Sequence, residues 1–149
     1  MTRSAQSVNP ELYGERSGKD LALAHRVNDI DRRAATSYST AGAATLTAAL
    51  LKSGRLVRNP NGGAVTDTTD TAANLISGLG LTSDCDQVEC YIYNSADAAE
   101  TITLAAGSGV TFKTHEGNTD LIIDQNDWAR LLITRISASE VQILVDKYE

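Results

Sequence analysis

Gln87-Val88-Glu89-Cys90-Tyr91-Ile92-Tyr93-Asn94 decides the fold class. Val88, Cys90 and Ile92 alternate with Glu89, Tyr91 and Tyr93, a period of two that sends successive side chains to opposite faces of a strand. The same period recurs downstream, where Ile102 and Leu104 alternate with Thr101 and Thr103, and Val110 and Phe112 with Thr111 and Lys113. Asn94-Ser95-Ala96-Asp97 and Ala106-Gly107-Ser108-Gly109 place turn residues between these segments. Leu121-Ile122-Ile123, Trp128 to Ile136 and Val141 to Val145 read as three further strands. Short strands broken by turns at this frequency predict a mainly β chain, an antiparallel β-sandwich or jelly-roll-like barrel with short helices and an extended N-terminal arm. No βαβ rhythm is legible.

Upstream of residue 87 the signals are helical or turn-like. Leu46, Leu50 and Leu51 form an apolar group on one short helical turn that Gly54 ends. Arg55-Leu56-Val57-Arg58 reads as a strand, and Asn59-Pro60-Asn61-Gly62-Gly63 as a turn in which Asn61 and Gly62 tolerate positive φ. In Thr66-Asp67-Thr68-Thr69-Asp70-Thr71 the short polar side chains, Asp67 and Asp70 among them, suit turns and capping. Asp70 is placed to cap a helix over residues 71–77. Ala72, Leu75, Ile76 and Leu79 give that helix an apolar face, closed by Gly78 and Gly80.

Residues 1–40 read as an attachment arm and residues 41–149 as a β-rich oligomerising domain. Asn9-Pro10, Gly14 and Ser17-Gly18 interrupt any long apolar period in the arm, yet Leu21, Leu23, Val27 and Ile30 line one side of a short helix and are its candidate anchors. In the body, Leu131-Leu132-Ile133, Ile122-Ile123 and Leu144 put apolar side chains on both faces of some strands. This makes Ile122, Leu131, Ile133 and Leu144 candidates for an oligomer interface, although a sheet covered within the monomer explains the same pattern.

The 149 residues suit one domain, and an apolar fraction of 42% supports a real but modest core. Formal net charge is −6; residues 1–33 hold six Arg or Lys against five Asp or Glu, and the remainder holds seven against fourteen. An acidic body repels phosphate backbones, which argues against direct nucleic-acid binding. No apolar run approaches the ~20 residues of a membrane-crossing helix, so no membrane partner is expected. Met1-Thr2-Arg3-Ser4-Ala5-Gln6 is not followed by the apolar stretch of a signal peptide, which argues against secretion by that route.

Reactive constellations are missing from the sequence pattern. Cys85 and Cys90 are spaced too widely for a C-x-x-C pair and have no second Cys cluster for zinc; spacing alone leaves a disulfide between them open. His25 lies in the arm and His115 in a polar turn beside Glu116, and neither has a nucleophile partner in sequence. Asp67 with Asp70, or Asp84 with Asp86, suits capping better than a hard cation, since an EF-hand loop with its terminal Glu is absent. Gly62-Gly63 lacks the Lys and Ser or Thr of a phosphate loop. Tyr91, Tyr93 and Phe112 lie among acidic and polar residues, so cross-strand packing is the stronger reading of them than a base-stacking surface. No enzyme activity, catalytic residue, cofactor or metal is expected.

The run from Thr45 to Ala64, followed by Thr66-Asp67-Thr68 and Thr71-Ala72-Ala73, resembles a family of small virion proteins of tailed phages and other large DNA viruses, the capsid decoration, cement and head-fibre proteins. Tyr93 to Val110 is similar to the hairpin and strand pattern of the same family, and the likeness covers about residues 45–145. The family often has Pro where this chain has Asp70, so its short helix starts differently. The resemblance implies a β-rich homotrimer on the outer capsid surface of a bacteriophage or similar virion. There it binds the major capsid protein and stabilises neighbouring capsid subunits. A head-fibre, tail-fibre or receptor- or glycan-binding virion protein is the alternative it leaves.

Overall fold

A computed structural model describes residues 34–115 and 121–148. These belong to one unit, Ala34–Glu149. The arm anchors Leu21, Leu23, Val27 and Ile30 lie outside the described residues.

The chain is mainly β, and it alternates between two sheets. Strands β1 (Thr36–Ser39), β3 (Arg55–Asn59), β5 (Gln87–Asn94), β7 (Val110–Thr114), β9 (Trp128–Ser137) and β10 (Glu140–Tyr148) form the larger sheet, in the order β1-β3-β5-β9-β10-β7. Strands β2 (Thr45–Leu46), β4 (Val65–Thr69), β6 (Ile102–Ala105) and β8 (Ile122–Ile123) form the smaller, in the order β2-β4-β6-β8. Each early pass of the chain adds one strand to each sheet, and helices α1 (Ala48–Leu51) and α2 (Ala72–Leu79) carry it back to the larger one.

That path corrects the antiparallel expectation. β1, β3 and β5 pair in parallel, as do β2, β4 and β6, and β7 with β10; only β5–β9, β9–β10 and β6–β8 are antiparallel. The reason lies in the turns. Asn59 to Gly63, which reads as a turn, joins β3 in one sheet to β4 in the other, and Gly107 to Gly109 likewise links β6 to β7. Asn61 and Gly62 do adopt positive φ, 52° and 125°. Gly107 is required for a different reason, because a Cβ there would run into the carbonyl oxygens of Thr69 and Asp70.

Four local expectations also change. β1 lies within the residues assigned to the arm, so the body begins before residue 40. Leu46 sits in β2, and Thr47 caps α1 by accepting the Leu50 N–H. The segment read as capping and turns is largely β4, whose residues alternate buried and exposed. The N-cap of α2 is Thr71, which accepts the Asn74 N–H, while Asp70 accepts from Thr71 N and Asn74 Nδ2 just ahead of it. Gly80 ends α2 at φ 73°, in the left-handed conformation typical of glycine stops.

Both sheets and both helices bury their apolar sides in one core. Leu56, Ile92, Leu131, Ile133 and Ile143 come from the larger sheet, Leu46, Ile102 and Ile123 from the smaller, and Leu51 and Leu75 from the helices. Removing a buried Leu from such a core costs about 2–5 kcal/mol.

A buried ion pair crosses this core. Arg58 of β3 and Asp67 of β4 are both 0% exposed, with Arg58 Nε donating to Asp67 Oδ2 at 2.7 Å and Nη2 to Oδ1 at 3.2 Å. The remaining guanidinium hydrogens go to the carbonyls of Thr40, Asn59 and Gly42. Asp67 Oδ1 also accepts the Ala44 N–H at 2.8 Å. All five N–H donors of the guanidinium are therefore satisfied, the condition under which a buried charge is tolerated. The Tyr38 ring sits 5.1 Å from the guanidinium carbon, so β1 and the link to β2 are fastened to the body through Arg58.

Candidate interaction face

The alternation of β5 gives the larger sheet two unlike faces. Cys90, Ile92 and Asn94 point into the core and are buried, while Glu89, Tyr91 and Tyr93 point outward. Register carries this outer face across the neighbouring strands. One row runs Arg55 (β3), Tyr91 (β5), Arg130 (β9), Asp146 (β10); the next runs Val57, Tyr93, Trp128, Tyr148. A third places Glu89 beside Leu132 and Leu144, and a fourth Gln87 beside Thr134 and Gln142.

Aromatic and arginine side chains lock together on this face. The Tyr93 and Trp128 ring centroids are 4.9 Å apart with planes tilted by 42°, and Arg55 lies over the Trp128 ring with its guanidinium carbon 4.9 Å from the centroid. Tyr93 donates its hydroxyl hydrogen to Asn126 Oδ1 at 3.2 Å. Arg130 Nη2 donates to Asp146 Oδ2 at 2.7 Å, and its Nη1 stands 3.5 Å from Glu89 Oε2. Hydrogen bonding to Asp146 raises the Arg130 value, and hydrogen bonding to Glu89 holds the Tyr91 phenol above its ordinary range. Tyr148 is 50% exposed. Among the described residues, four of the five Tyr and Trp side chains lie on this one face; Tyr38 is the exception.

The candidate residues scatter by comparison. Leu131 and Ile133 are core residues at 0% exposure, pointing away from the open face because they sit opposite Cys90 and Val88. Leu144 is half-buried on the outer face beside Leu132. Ile122, 39% exposed, belongs to the edge strand of the smaller sheet, and its carbonyl accepts from Lys147 Nζ. Asn61 and Gly62 occupy the β3–β4 link, where Gly62 N–H donates to Glu100 Oε1 at 3.0 Å. Asp67 is a strand residue of the buried pair rather than a turn residue.

Sequence reading missed the outer-face group. Tyr91 and Tyr93 were legible as the polar side of an alternating strand, but Phe112 packs against the core on the opposite face, so the three aromatics form no single surface. Arg55, Trp128 and Tyr148 join Tyr91 and Tyr93 only through the strand order β3-β5-β9-β10, which local patterns do not encode.

Cys85 and Cys90 are both free thiols, Cys85 exposed and Cys90 buried. Burial pushes the Cys90 thiol up to about 12, making it a packing residue. Asp86 is held below its ordinary value by the backbone N–H of Ser83, with Thr82 adding further bonds. Among the described residues no three His, Cys, Asp or Glu side chains gather as a metal-holding group, and no helix is long and apolar enough to cross a membrane. Comparison of the chain with family models, curated proteins and solved structures finds no match.

Proposed function

We propose that this chain is a structural virion protein, a capsid decoration or cement module that binds the outer surface of a viral head and stabilises neighbouring capsid subunits. It acts by contact, without chemistry of its own, and its partners are the major capsid protein and further copies of itself. The observation that carries this reading is the open face of the larger sheet, where tyrosine, tryptophan and arginine side chains stand preordered over a sandwich-like body. Those residue types supply most of the binding energy at protein interfaces. The resemblance of residues 45–145 to decoration and head-fibre proteins supplies the setting, and a shell that repeats its surface turns one modest contact into many.

The aromatic side chains, with Asn126 and Asp146 beside them, also favour a second reading, a fibre or receptor-binding protein that takes a glycan on this face. Two features weigh against it. Arg55 covers the Trp128 ring on which a sugar would stack, and Leu132 and Leu144 add aliphatic surface that a glycan does not need.

Imaging of gold-labelled chain on virions separates the readings. Label spread evenly over the head is the expected result; label confined to a tail or fibre, or none on the particle, contradicts the decoration role.

A further inference from the structure

We infer that the outer face of the larger sheet packs against the same face of a second copy, about a two-fold axis running parallel to the strands between β5 and β9. The pairing rests on the self-association part of the proposed function: the face goes to a second copy, and capsid attachment falls to the remaining surfaces of the pair. It stands on the strand register and needs no virion.

The argument begins with symmetry. A rotation of 180° about an axis in the plane between two facing sheets reverses the order of strands and keeps the rows level, so β3 of one copy lies over β10 of the other, and β5 over β9. In the charged row this sets Arg55 over Asp146 and Tyr91 over Arg130. In the aromatic row it sets Val57 over Tyr148 and Tyr93 over Trp128. Cation meets anion, ring meets guanidinium, and apolar meets aromatic, each pair occurring twice.

Charge leaves this face free to self-associate, as it does the uncharged outer side of the smaller sheet (Thr66, Thr103 and Ile122), and the aromatic and arginine side chains then favour the larger sheet. Residues 34–149 carry seven Lys or Arg against fourteen Asp or Glu, so two copies repel over most of their surface. Across its four rows the outer face sets Arg55, Arg130 and Lys113 against Glu89 and Asp146, so it carries no net negative charge on an acidic body. Its size also fits: strands totalling 41 residues at ~3.3 Å rise and ~4.8 Å spacing present on the order of 650 Å², near the ~800 Å² per partner of a stable interface. The three-fold arrangement implied by the resemblance would need this face to match a different patch on its neighbour, whereas the charged and aromatic rows match themselves.

Two measurements on the purified full chain test the pairing. The first uses Arg55→Cys with Asp146→Cys in a Cys85→Ser background and a short bis-maleimide, because facing sheets stand ~10 Å apart, beyond the ~7 Å Cα–Cα reach of a direct disulfide. Within one chain these positions lie three strands apart, about 14 Å, too far for the short linker. Linking should therefore give a covalent species of twice the 15.8 kDa chain mass. The second is the concentration dependence of mass by light scattering. The parent chain should form a dimer, and Arg55→Glu, at an exposed position where folding is not at stake, should weaken it at least about tenfold. A persistent monomer, a trimer, a dimer that fails to cross-link, or a dimer indifferent to Arg55→Glu each overturns the inference. None of these outcomes touches the virion-labelling experiment, which fails or succeeds separately.

Discussion

Arg58 and Arg130 stand on opposite faces of the same sheet and show two uses of one side chain. Arg58 is fully buried, shares a carboxylate with nothing but the Ala44 N–H, and has an acceptor for every hydrogen. Arg130 keeps 30% of its side chain exposed between Asp146 and Glu89, with its Nε covered and lacking an acceptor. The first arrangement holds elements of one chain together. The second is incomplete within one chain, and its neighbours are the rings and aliphatic side chains typical of protein contact surfaces. Fold stability belongs to the inner face, and the proposed association to the outer one.

The sharpest way to break this division is to cut the inner pair. Arg58→Met leaves Asp67 as a buried, uncompensated charge and should destabilise the fold by about 3–5 kcal/mol in urea unfolding. The double change Arg58→Met with Asp67→Leu should recover a large part of that, since the stranded charge is gone. An Arg58→Met protein as stable as the parent would remove the clamp from the account.

A matched pair of leucines on the paired strands β9 and β10 comes next. Leu131→Ala, in the core, should cost about 2–5 kcal/mol. Leu144→Ala, on the outer face, should change unfolding much less while weakening self-association. Equal losses of stability at the two positions would mean that the outer face is covered within the monomer.

The two thiols extend the contrast to chemistry. A thiol-specific reagent should modify Cys85 promptly in the native protein and Cys90 only on unfolding. The folded Cys90 value of about 12 lies above its ordinary 9.0, so its contribution is intact below pH 9.0 and is lost as pH rises toward about 12. A Cys90→Ala protein should show a shallower fall in melting temperature over that alkaline range. Smallest of all should be Arg130→Met, whose unfolding midpoint is expected to stay close to the parent's because its ion pairs are solvent-screened. Its effect should appear in association instead.

Strands β5, β6 and β7 were legible because each buries one face and so alternates. β4 was not, because Thr66, Thr68 and Thr69 have the composition of a turn and its inward residue Asp67 is charged; only its partner Arg58 makes it a core strand. Parallel pairing was hidden for a related reason. A turn sequence reports that the chain reverses or bends, and it does not report which sheet the next strand joins. The outer face shared that fate: Tyr91 and Tyr93 lie adjacent in the alternation, whereas Arg55, Trp128 and Tyr148 reach them across strand pairings formed over long sequence separations.

The division between the two faces is tested most directly by hydroxyl-radical footprinting of the intact chain over a dilution series. Oxidation of Trp128, Tyr93 and Tyr148 should fall as concentration rises and copies associate, while Ile122, exposed on the edge strand of the smaller sheet, should stay equally reactive throughout. Outer-face oxidation that is indifferent to concentration, or protection centred on Ile122 instead, would contradict the account.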